Sequence, residues 1–264
     1  MPHDAPRVRP PHVASPADPD APLWDGRVVA TGDGSLTVHS PRFGQGFRSR
    51  AGAHAEARHV FVDGSGVGPR LRRGEAAAVL EVGLGAGTNL GLTVSAAWAG
   101  GAALRYVVIE REPLPLDAWR ALALPSWQPE PFASAFLAAL ERWTAAPTDS
   151  FAIATQDVLV EVVVAEAGAF AARGGLAALG AFDAVYLDAF SPDVDPDAWR
   201  HATLAALAGC LAPGGALVTY SVQGAVRRSL AAAGLEVAKV AGPPGGKREV
   251  LRARRPTRSP GAGP

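Results

Sequence analysis

A glycine-rich segment preceded by an acid is the first feature of the sequence that could bind a ligand. It follows the apolar run 77–83 and opens a helical pattern. The residues concerned are Glu81, Gly83, Gly85, Gly87 and Asn89. Glycines after a strand let a ligand approach the backbone, and the start of a helix supplies free N–H groups. We interpret the segment as a ligand-binding loop; a tight strand-to-helix turn without a ligand is the alternative.

The spacing of the glycines selects between ligand classes. A dinucleotide site has the pattern G-x-G-x-x-G, whereas this loop reads G-x-G-x-G and has Thr88 in the sixth place. No Lys-Ser or Lys-Thr pair follows, which excludes a P-loop. Glu81 would repel a phosphate but suits an ammonium group. The loop therefore favours S-adenosylmethionine, which carries an amino acid moiety and no phosphate.

Two further acids end predicted strands. Glu110 closes the apolar run 105–110, where a carboxylate can accept hydrogen bonds from both ribose hydroxyls. Glu166 closes the segment 151–166 and could reach the adenine amino group. The alternative for Glu110 is a solvated charge at the end of a strand, without a ligand. For Glu166, a contact with adenine and no contact at all are equally weighted. Together with the loop, the acids form a more specific pattern than any one of them.

Asp188 follows the apolar strand 182–190 and is the candidate catalytic residue. A carboxylate there could hydrogen-bond an amine or take its proton. The neighbouring Phe190 could pack against a sulfonium and the methyl acceptor, since aromatic faces attract cations. The alternative role, an N-cap for the next helix, could be filled equally well by Asp193 or Asp195.

Strands and helices alternate from Ala76 onward, which predicts a doubly wound α/β domain with a mostly parallel sheet. Strands are predicted at 77–83, 105–110, within 151–166, at 182–190 and at 214–221. Two helices are expected within the insertion 113–146, and an amphipathic helix at 226–234. The segments LEVAKVAG and REVLRARR predict a closing antiparallel pair that supplies one antiparallel edge strand.

The part before this domain is predicted to be a small β-rich extension, residues 23–75. Gly32-Asp33-Gly34 is a hairpin signal, and HVFVDGSGV, residues 59–67, is interpreted as another strand with a turn at its Asp-Gly pair. We expect a disordered leader at 1–22, a catalytic domain at 76–253 and a disordered tail at 254–264.

Composition narrows the class of protein. The chain has 264 residues, 48% of them hydrophobic, with 25 basic and 25 acidic side chains, which suits a domain with a large core and neither favours nor excludes nucleic acid. Cys210 is the only cysteine, so a disulfide framework and a cysteine zinc site are excluded. No apolar run is long enough for a membrane span, and the N-terminus lacks a secretory signal. The histidines are not spaced as metal ligands. We therefore expect a cytoplasmic protein without metal or membrane.

The run from Asp183 to Trp199 and the triplet Lys247-Arg248-Glu249 resemble the MnmC-like methyltransferase domain, and the similarity extends over about Leu36 to Leu251. The resemblance implies a Rossmann-like class I methyltransferase fold. It also implies methyl transfer from S-adenosylmethionine to the primary amine of 5-aminomethyl-2-thiouridine at the tRNA wobble position. By resemblance, Asp188 matches the acid beside the acceptor and Glu110 the ribose acid. The cofactor loop is matched by Glu81, Gly83, Gly85, Gly87 and Asn89.

The chain departs from the family pattern at three places. Leu84 and Ala86 replace a Phe and a Thr of the loop, and Ala165-Glu166 replaces a Gly-Asp pair. The segment Gln45-Gly-Phe47-Arg-Ser49 replaces Asp-x-Tyr-x-Ser, which removes a carboxylate and a hydroxyl from a possible substrate wall. Some relatives are fused to a flavin-dependent oxidase, for which we find no second glycine fingerprint. We therefore expect a stand-alone methyltransferase and a separate enzyme that supplies the aminomethyl uridine.

A tRNA anticodon substrate needs phosphate contacts and a pocket for a flipped base. Phe190 is expected in that pocket. The basic candidates for substrate contact are Arg227, Arg228, Lys247 and Arg248, and the positive run continues through Arg252, Arg254, Arg255 and Arg258. A solvated charged face is the equally weighted alternative.

Two other functions stay open. The first is an enzyme acting on a small amine, as aminopropyl transferases with a related sheet do. Such enzymes need paired acids, and the sequence shows no clear second acid beside Asp188. The second is a non-catalytic domain that binds S-adenosylmethionine, against which the intact Glu81, Glu110 and Asp188 argue.

Overall fold

The computed structural model describes residues 18, 20–48, 52–123 and 128–257, so Ser49, Arg258 and most of the predicted leader and tail lie outside the described residues. Within these ranges the chain forms a three-stranded and an eight-stranded sheet. The small sheet is antiparallel and consists of β1 (Val28–Ala30), β2 (Leu36–Ser40) and β3 (Gln45–Gly46).

The large sheet has the order β10-β11-β9-β8-β4-β5-β7-β6. Its strands are β4 (Ala77–Val82), β5 (Leu104–Glu110), β6 (Ser150–Thr155), β7 (Val158–Val164), β8 (Phe182–Leu187), β9 (Leu211–Thr219), β10 (Glu236–Ala241) and β11 (Glu249–Arg254). The five strands from β9 to β7 in this order run parallel. The predicted doubly wound α/β fold is confirmed.

The antiparallel strands differ in part from the prediction. β10 and β11 form the expected antiparallel pair, but β11 lies inside the sheet, between β9 and β10. Leu251 and Ala253 of β11 are buried, whereas β10 is largely exposed and carries Glu236 and Lys239. A charged, exposed strand suits a sheet edge because charges discourage pairing with another chain. The opposite edge is β6, which is antiparallel to β7.

Helices cover both faces of the large sheet. They are α1 (Ala53–Glu56), α2 (Val67–Arg72), α3 (Thr88–Gly100), α4 (Leu116–Ala121), α5 (Glu130–Ala145), α6 (Ala167–Ala172), α7 (Gly175–Ala178), α8 (His201–Gly209) and α9 (Gly224–Ala232). One apolar core includes Leu90, Trp119 and Phe136 from α3 to α5, and the other includes Leu204 and Leu230 from α8 and α9. None of the helices within the described ranges is long and apolar enough to cross a membrane.

The strand predicted at 59–67 was wrong, because α1 runs on into a π-helical turn, Ala57–Val62, and α2 follows. Val60 and Phe61 are consecutive in sequence and both about 1% exposed. An uninterrupted apolar run fits a buried helix as well as a buried strand, so the pattern could not separate the two. The second half of the predicted β-rich extension is therefore helical.

Candidate active site

The carboxyl ends of β4, β5, β7 and β8 surround a cavity of about 330 Å³. Segments around β3 and α1 close it from the side of the small sheet. Its volume lies at the lower end of the roughly 300–1,000 Å³ typical of small-molecule sites. Ligands of doubly wound sheets bind at this end of the strands. The cavity is therefore the candidate active site.

The glycine loop forms part of the cavity wall through Gly83 and Gly85, whereas Gly87 and Asn89 lie behind it. Gly83 has a φ of +92°, and a Cβ there would lie 2.8 Å from the backbone oxygen of Asp188. Gly85 has a φ of +50°, and its Cβ would approach Phe47 to 3.3 Å. Only glycine adopts such angles without strain. The loop thus presents bare backbone to the cavity and packs directly against the end of β8.

Glu110 lies on the cavity wall and also holds the glycine loop. Its Oε2 accepts hydrogen bonds from the backbone N–H groups of Leu84 (2.8 Å) and Gly85 (3.4 Å), and its Oε1 accepts one from Glu112 (2.8 Å). Burial raises the pKa of this carboxyl. Oε2 already accepts two donors, whereas Oε1 has a second lone pair that could accept from a ribose hydroxyl. The contact of Glu110 with a ribose stays a prediction. Its hydrogen bonds to the glycine loop give it a second role, which is to anchor that loop.

Glu166 lines the cavity as the N-cap of α6. Its two oxygens accept hydrogen bonds from the backbone N–H groups of Gly168 (2.8 Å) and Ala169 (2.6 Å). A cap of this kind satisfies the free donors at a helix start. The expected adenine contact would have to share these oxygens, and it stays a prediction.

Glu81 lies beneath the cavity. It is 0% exposed and accepts hydrogen bonds from Asn89 Nδ2 (2.8 Å) and from the Tyr106 hydroxyl (2.9 Å). Glu81 is not among the residues that line the cavity, and its contact with the cofactor ammonium stays a prediction. Glu81 holds Asn89, and burial raises the pKa of Glu81 to about 8.

The buried Glu81 predicts a pH dependence of stability. Its pKa is about 8 in the folded protein against an ordinary value of 4.5, so the folded state binds its proton more tightly than the unfolded chain. This stabilising contribution is complete below pH 4.5 and declines as the pH rises through 8. Glu81→Gln has no charge to gain, so its free energy of unfolding should decline less steeply between pH 5 and pH 8.

Urea denaturation of wild type and Glu81→Gln at several pH values measures this difference. Asp188, whose pKa is also raised, is present in both proteins, and its charge is one cause of the raised pKa of Glu81, so the difference between the two curves reports Glu81 together with this coupling. Parallel curves for the two proteins would contradict the raised pKa of Glu81.

Asp188 directly follows β8 at the cavity and is part of a buried polar network. Its Oδ2 accepts a hydrogen bond from Asn89 Nδ2 (2.8 Å) and forms an ion pair with Arg48 Nη1. The side chains of Asp188 and Arg48 are only 11% and 4% exposed. Burial raises the pKa of Asp188 to about 6, although Arg48 opposes the shift. The network Glu81–Asn89–Asp188–Arg48 fixes the orientation of the Asp188 carboxylate.

Two charged residues beside Asp188 were missed by sequence reasoning. Arg48 lies in the segment that departs from the family pattern, and the departure itself was the available signal. Glu56, at the end of α1, is 9% exposed and lines the same cavity as Asp188. It lies close enough to raise the pKa of Asp188 by charge repulsion. The expectation that no second acid lies beside Asp188 was therefore wrong, because α1 folds Glu56 against a distant strand end.

Three phenylalanines form an aromatic wall. Phe190 stacks on Phe43 with ring centroids 4.0 Å apart and meets Phe47 edge-on at 5.1 Å. All three line the cavity. Flat aromatic faces of this kind bind planar rings and attract cations.

Of the four predicted basic substrate residues, only Lys247 lines the cavity. Its Nζ lies 3.7 Å from the ring centroid of Tyr220. Arg227 and Arg228 are exposed on α9, and Arg248 is exposed before β11. Within the described ranges no three His, Cys, Asp or Glu side chains are arranged to hold a metal ion.

Known proteins resemble the chain in sequence. A family described as S-adenosyl-L-methionine-dependent methyltransferase matches residues 130–256. A tRNA 5-methylaminomethyl-2-thiouridine biosynthesis bifunctional protein MnmC from Paracidovorax citrulli is 38% identical over 214 residues, which are 79% of this chain and 32% of that protein. The protein of the same name from Aromatoleum aromaticum is 33% identical over 249 residues, 92% of this chain and 37% of that protein. The chain thus spans about a third of the length of these relatives.

A solved structure shares the fold. The crystal structure of MNMC2 from Aquifex aeolicus superposes with a TM-score of 0.69 at 24% identity, covering 92% of this chain and 73% of that one. The chain belongs to the S-adenosylmethionine-dependent methyltransferases and is related to the methyltransferase domain of the MnmC proteins.

Proposed function

We propose that the chain methylates the primary amine of 5-aminomethyluridine, or of its 2-thio form, at the wobble position of tRNA. The observation that carries this proposal is a cavity in which the carboxylates Asp188 and Glu56 lie beside the glycine loop. Acids beside the cofactor loop suit an amine acceptor, which is positively charged near neutral pH. The names of the MnmC relatives supply the tRNA substrate as a hypothesis.

The residues at the cavity fit S-adenosylmethionine. Gly83 and Gly85 leave backbone open at the wall, the start of α3 has no side-chain cap, and Glu110 offers a carboxylate for hydroxyl groups. When bound, the cofactor supplies an activated methyl group on a positively charged sulfur. The aromatic wall near Phe190 offers a surface that attracts such a cation.

The protein must present the acceptor amine with a free lone pair, because a protonated amine cannot accept a methyl group. The described hydrogen bonds to Asp188 go to Oδ2, which Asn89 and Arg48 hold in place. Oδ1 is therefore the oxygen that can accept a hydrogen bond from the amine and orient it. Holding a nucleophile in this way lowers the entropic part of the barrier.

The tRNA would bind across the cavity mouth. A flipped uridine could stack on the phenylalanine wall, as unpaired bases do on aromatic side chains. Lys247 at the rim and the exposed Arg227, Arg228 and Arg248 would contact phosphates, which position the RNA without reading its sequence. Such a substrate implies a separate enzyme that supplies the aminomethyl group. It also places the reaction in the cytoplasm, in line with the single cysteine, Cys210.

Mass spectrometry of tRNA nucleosides tests the proposal. Purified protein is incubated with S-adenosylmethionine and tRNA from a strain that lacks the methyl group but retains the aminomethyl group. We expect one added methyl on the aminomethyl uridine and none without S-adenosylmethionine. Because Glu56 is a second acid near Asp188, a parallel reaction offers small polyamines. Methylated polyamine with unchanged tRNA would overturn the RNA substrate, and transfer to neither would overturn the amine acceptor.

A further inference from the structure

Glu56 is a buried carboxylate that has no hydrogen-bond or ion-pair partner among the described residues. It is 9% exposed and lines the cavity, yet it forms no hydrogen bond or ion pair within the described part of the chain. Burying a charge costs free energy unless a partner compensates it. A buried acid that lacks a compensating partner among the described residues and faces an open cavity can bind a polar or cationic group of a ligand.

The turn between β1 and β2 of the small sheet fixes the position of Glu56. Asp33 accepts a hydrogen bond from the backbone N–H of Ala55 (2.9 Å), and Thr31 Oγ1 accepts one from Ala53 (3.3 Å). Asp33 is itself held by Thr31 and Ser35. These contacts anchor the first turn of α1 and leave its last residue, Glu56, at the cavity.

Asp188 and Glu56 differ in how their charges are compensated. Asp188 is paired with Arg48 and hydrogen-bonded by Asn89. Glu56 accepts no hydrogen bond from a described residue, but it lies close enough to Arg48, Asp188 and Lys247 for its charge to act on their pKa values. A carboxylate that already accepts two donors is suited to orient a substrate, whereas one that accepts none from the described residues has its lone pairs open to the N–H groups of a ligand.

We infer, on the basis of the proposed function, that Glu56 is a catalytic residue that binds the protonated acceptor amine and takes up its proton, while Asp188 orients the resulting neutral amine. The proton passes from the ammonium group to a carboxylate oxygen of Glu56, and the nitrogen lone pair is freed. The N–C bond forms as the S–C bond breaks, and the sulfur keeps the electron pair of the broken bond. Glu56 releases its proton to solvent after the product has left, so each turnover yields the methylated ammonium, the neutral thioether and one proton.

Glu56→Gln tests the inference with aminomethyl tRNA as the substrate. We expect kcat at pH 7 to fall by about 100-fold or more, the usual scale for a positioned acid–base group. The loss should shrink toward alkaline pH, where solvent removes the proton from the amine. The dissociation constant of S-adenosylmethionine, measured by calorimetry, should stay within a factor of about three, because Glu56 faces the amine. Glu56→Asp keeps the charge on a shorter side chain and should recover part of the activity.

The matched control is Glu75→Gln, an exposed acid outside the cavity that pairs with Arg73 and Arg70, and it should retain wild-type activity. Thermal unfolding of each variant shows whether it is folded. A folded Glu56→Gln with wild-type kcat at pH 7, or with an equal loss at every pH, would overturn the proton-acceptor role. If the wild type methylates no tRNA, the proposed function fails, whereas an active wild type with an unaffected Glu56→Gln overturns this inference alone.

Discussion

Asp188→Asn should lower the turnover number about 100-fold or more at neutral pH, the scale expected for a positioned acid–base group. The substitution keeps the shape and one acceptor oxygen but removes a negative charge that, together with Glu56, favours entry of the protonated amine into the cavity. The affinity for S-adenosylmethionine should change much less, because the expected cofactor contacts are mostly in the glycine loop and at Glu110. Activity of the variant should recover in part at high pH, where more of the amine is neutral. Steady-state kinetics over a range of pH, with calorimetry for the cofactor, measure these effects.

Asp188→Asn also breaks the ion pair with Arg48, and the resulting loss of stability must be separated from the loss of turnover. Removing one partner of a buried pair leaves the other charge uncompensated, which costs about 3–5 kcal/mol of stability. Arg48 is 4% exposed, so Asp188→Asn should also lower the unfolding temperature. Combining it with Arg48→Met removes the orphaned cation and should restore stability but not turnover. Normal turnover with a loss of cofactor affinity would instead make Asp188 a cofactor-binding residue.

Glu110→Ala should weaken S-adenosylmethionine binding roughly 10- to 150-fold, since hydrogen bonds to a charged group contribute about 1.5–3 kcal/mol. The carboxylate is expected to accept from the ribose hydroxyls, and it holds the backbone of Leu84 and Gly85 in the loop. Both contributions are lost in the alanine variant. Glu110→Gln keeps one acceptor oxygen and should lose less.

Isothermal calorimetry of the two Glu110 variants gives the dissociation constants directly. Glu236→Ala, at the exposed edge strand β10, is the control for removal of an acid far from the cavity. An unchanged dissociation constant for Glu110→Ala would place the ribose elsewhere and leave Glu110 as a loop anchor only.

Much of the fold could be read from local patterns. The central parallel strands are buried on both faces, so they appear in the sequence as short apolar runs bounded by glycines or acids. Ligands of such sheets bind outside the carboxyl ends of the strands, so Gly83, Glu110 and Asp188 could be assigned to one region without knowing their contacts. The assignment of apolar runs to strands failed at residues 59–67, because a buried helix and a buried strand can have the same apolar run.

The sequence by itself determined the sheet class and located the glycine loop and the acid that follows β8, because each is encoded within a few neighbouring residues. The tertiary structure decided which side chains meet. Arg48 pairs with Asp188 across 140 positions, and Glu56 reaches the same cavity from α1, which the small sheet holds. Glu81, predicted at the ligand, lies beneath the cavity because β4 is buried on both faces. Contacts between distant segments depend on how those segments dock, and no local periodicity carries that information.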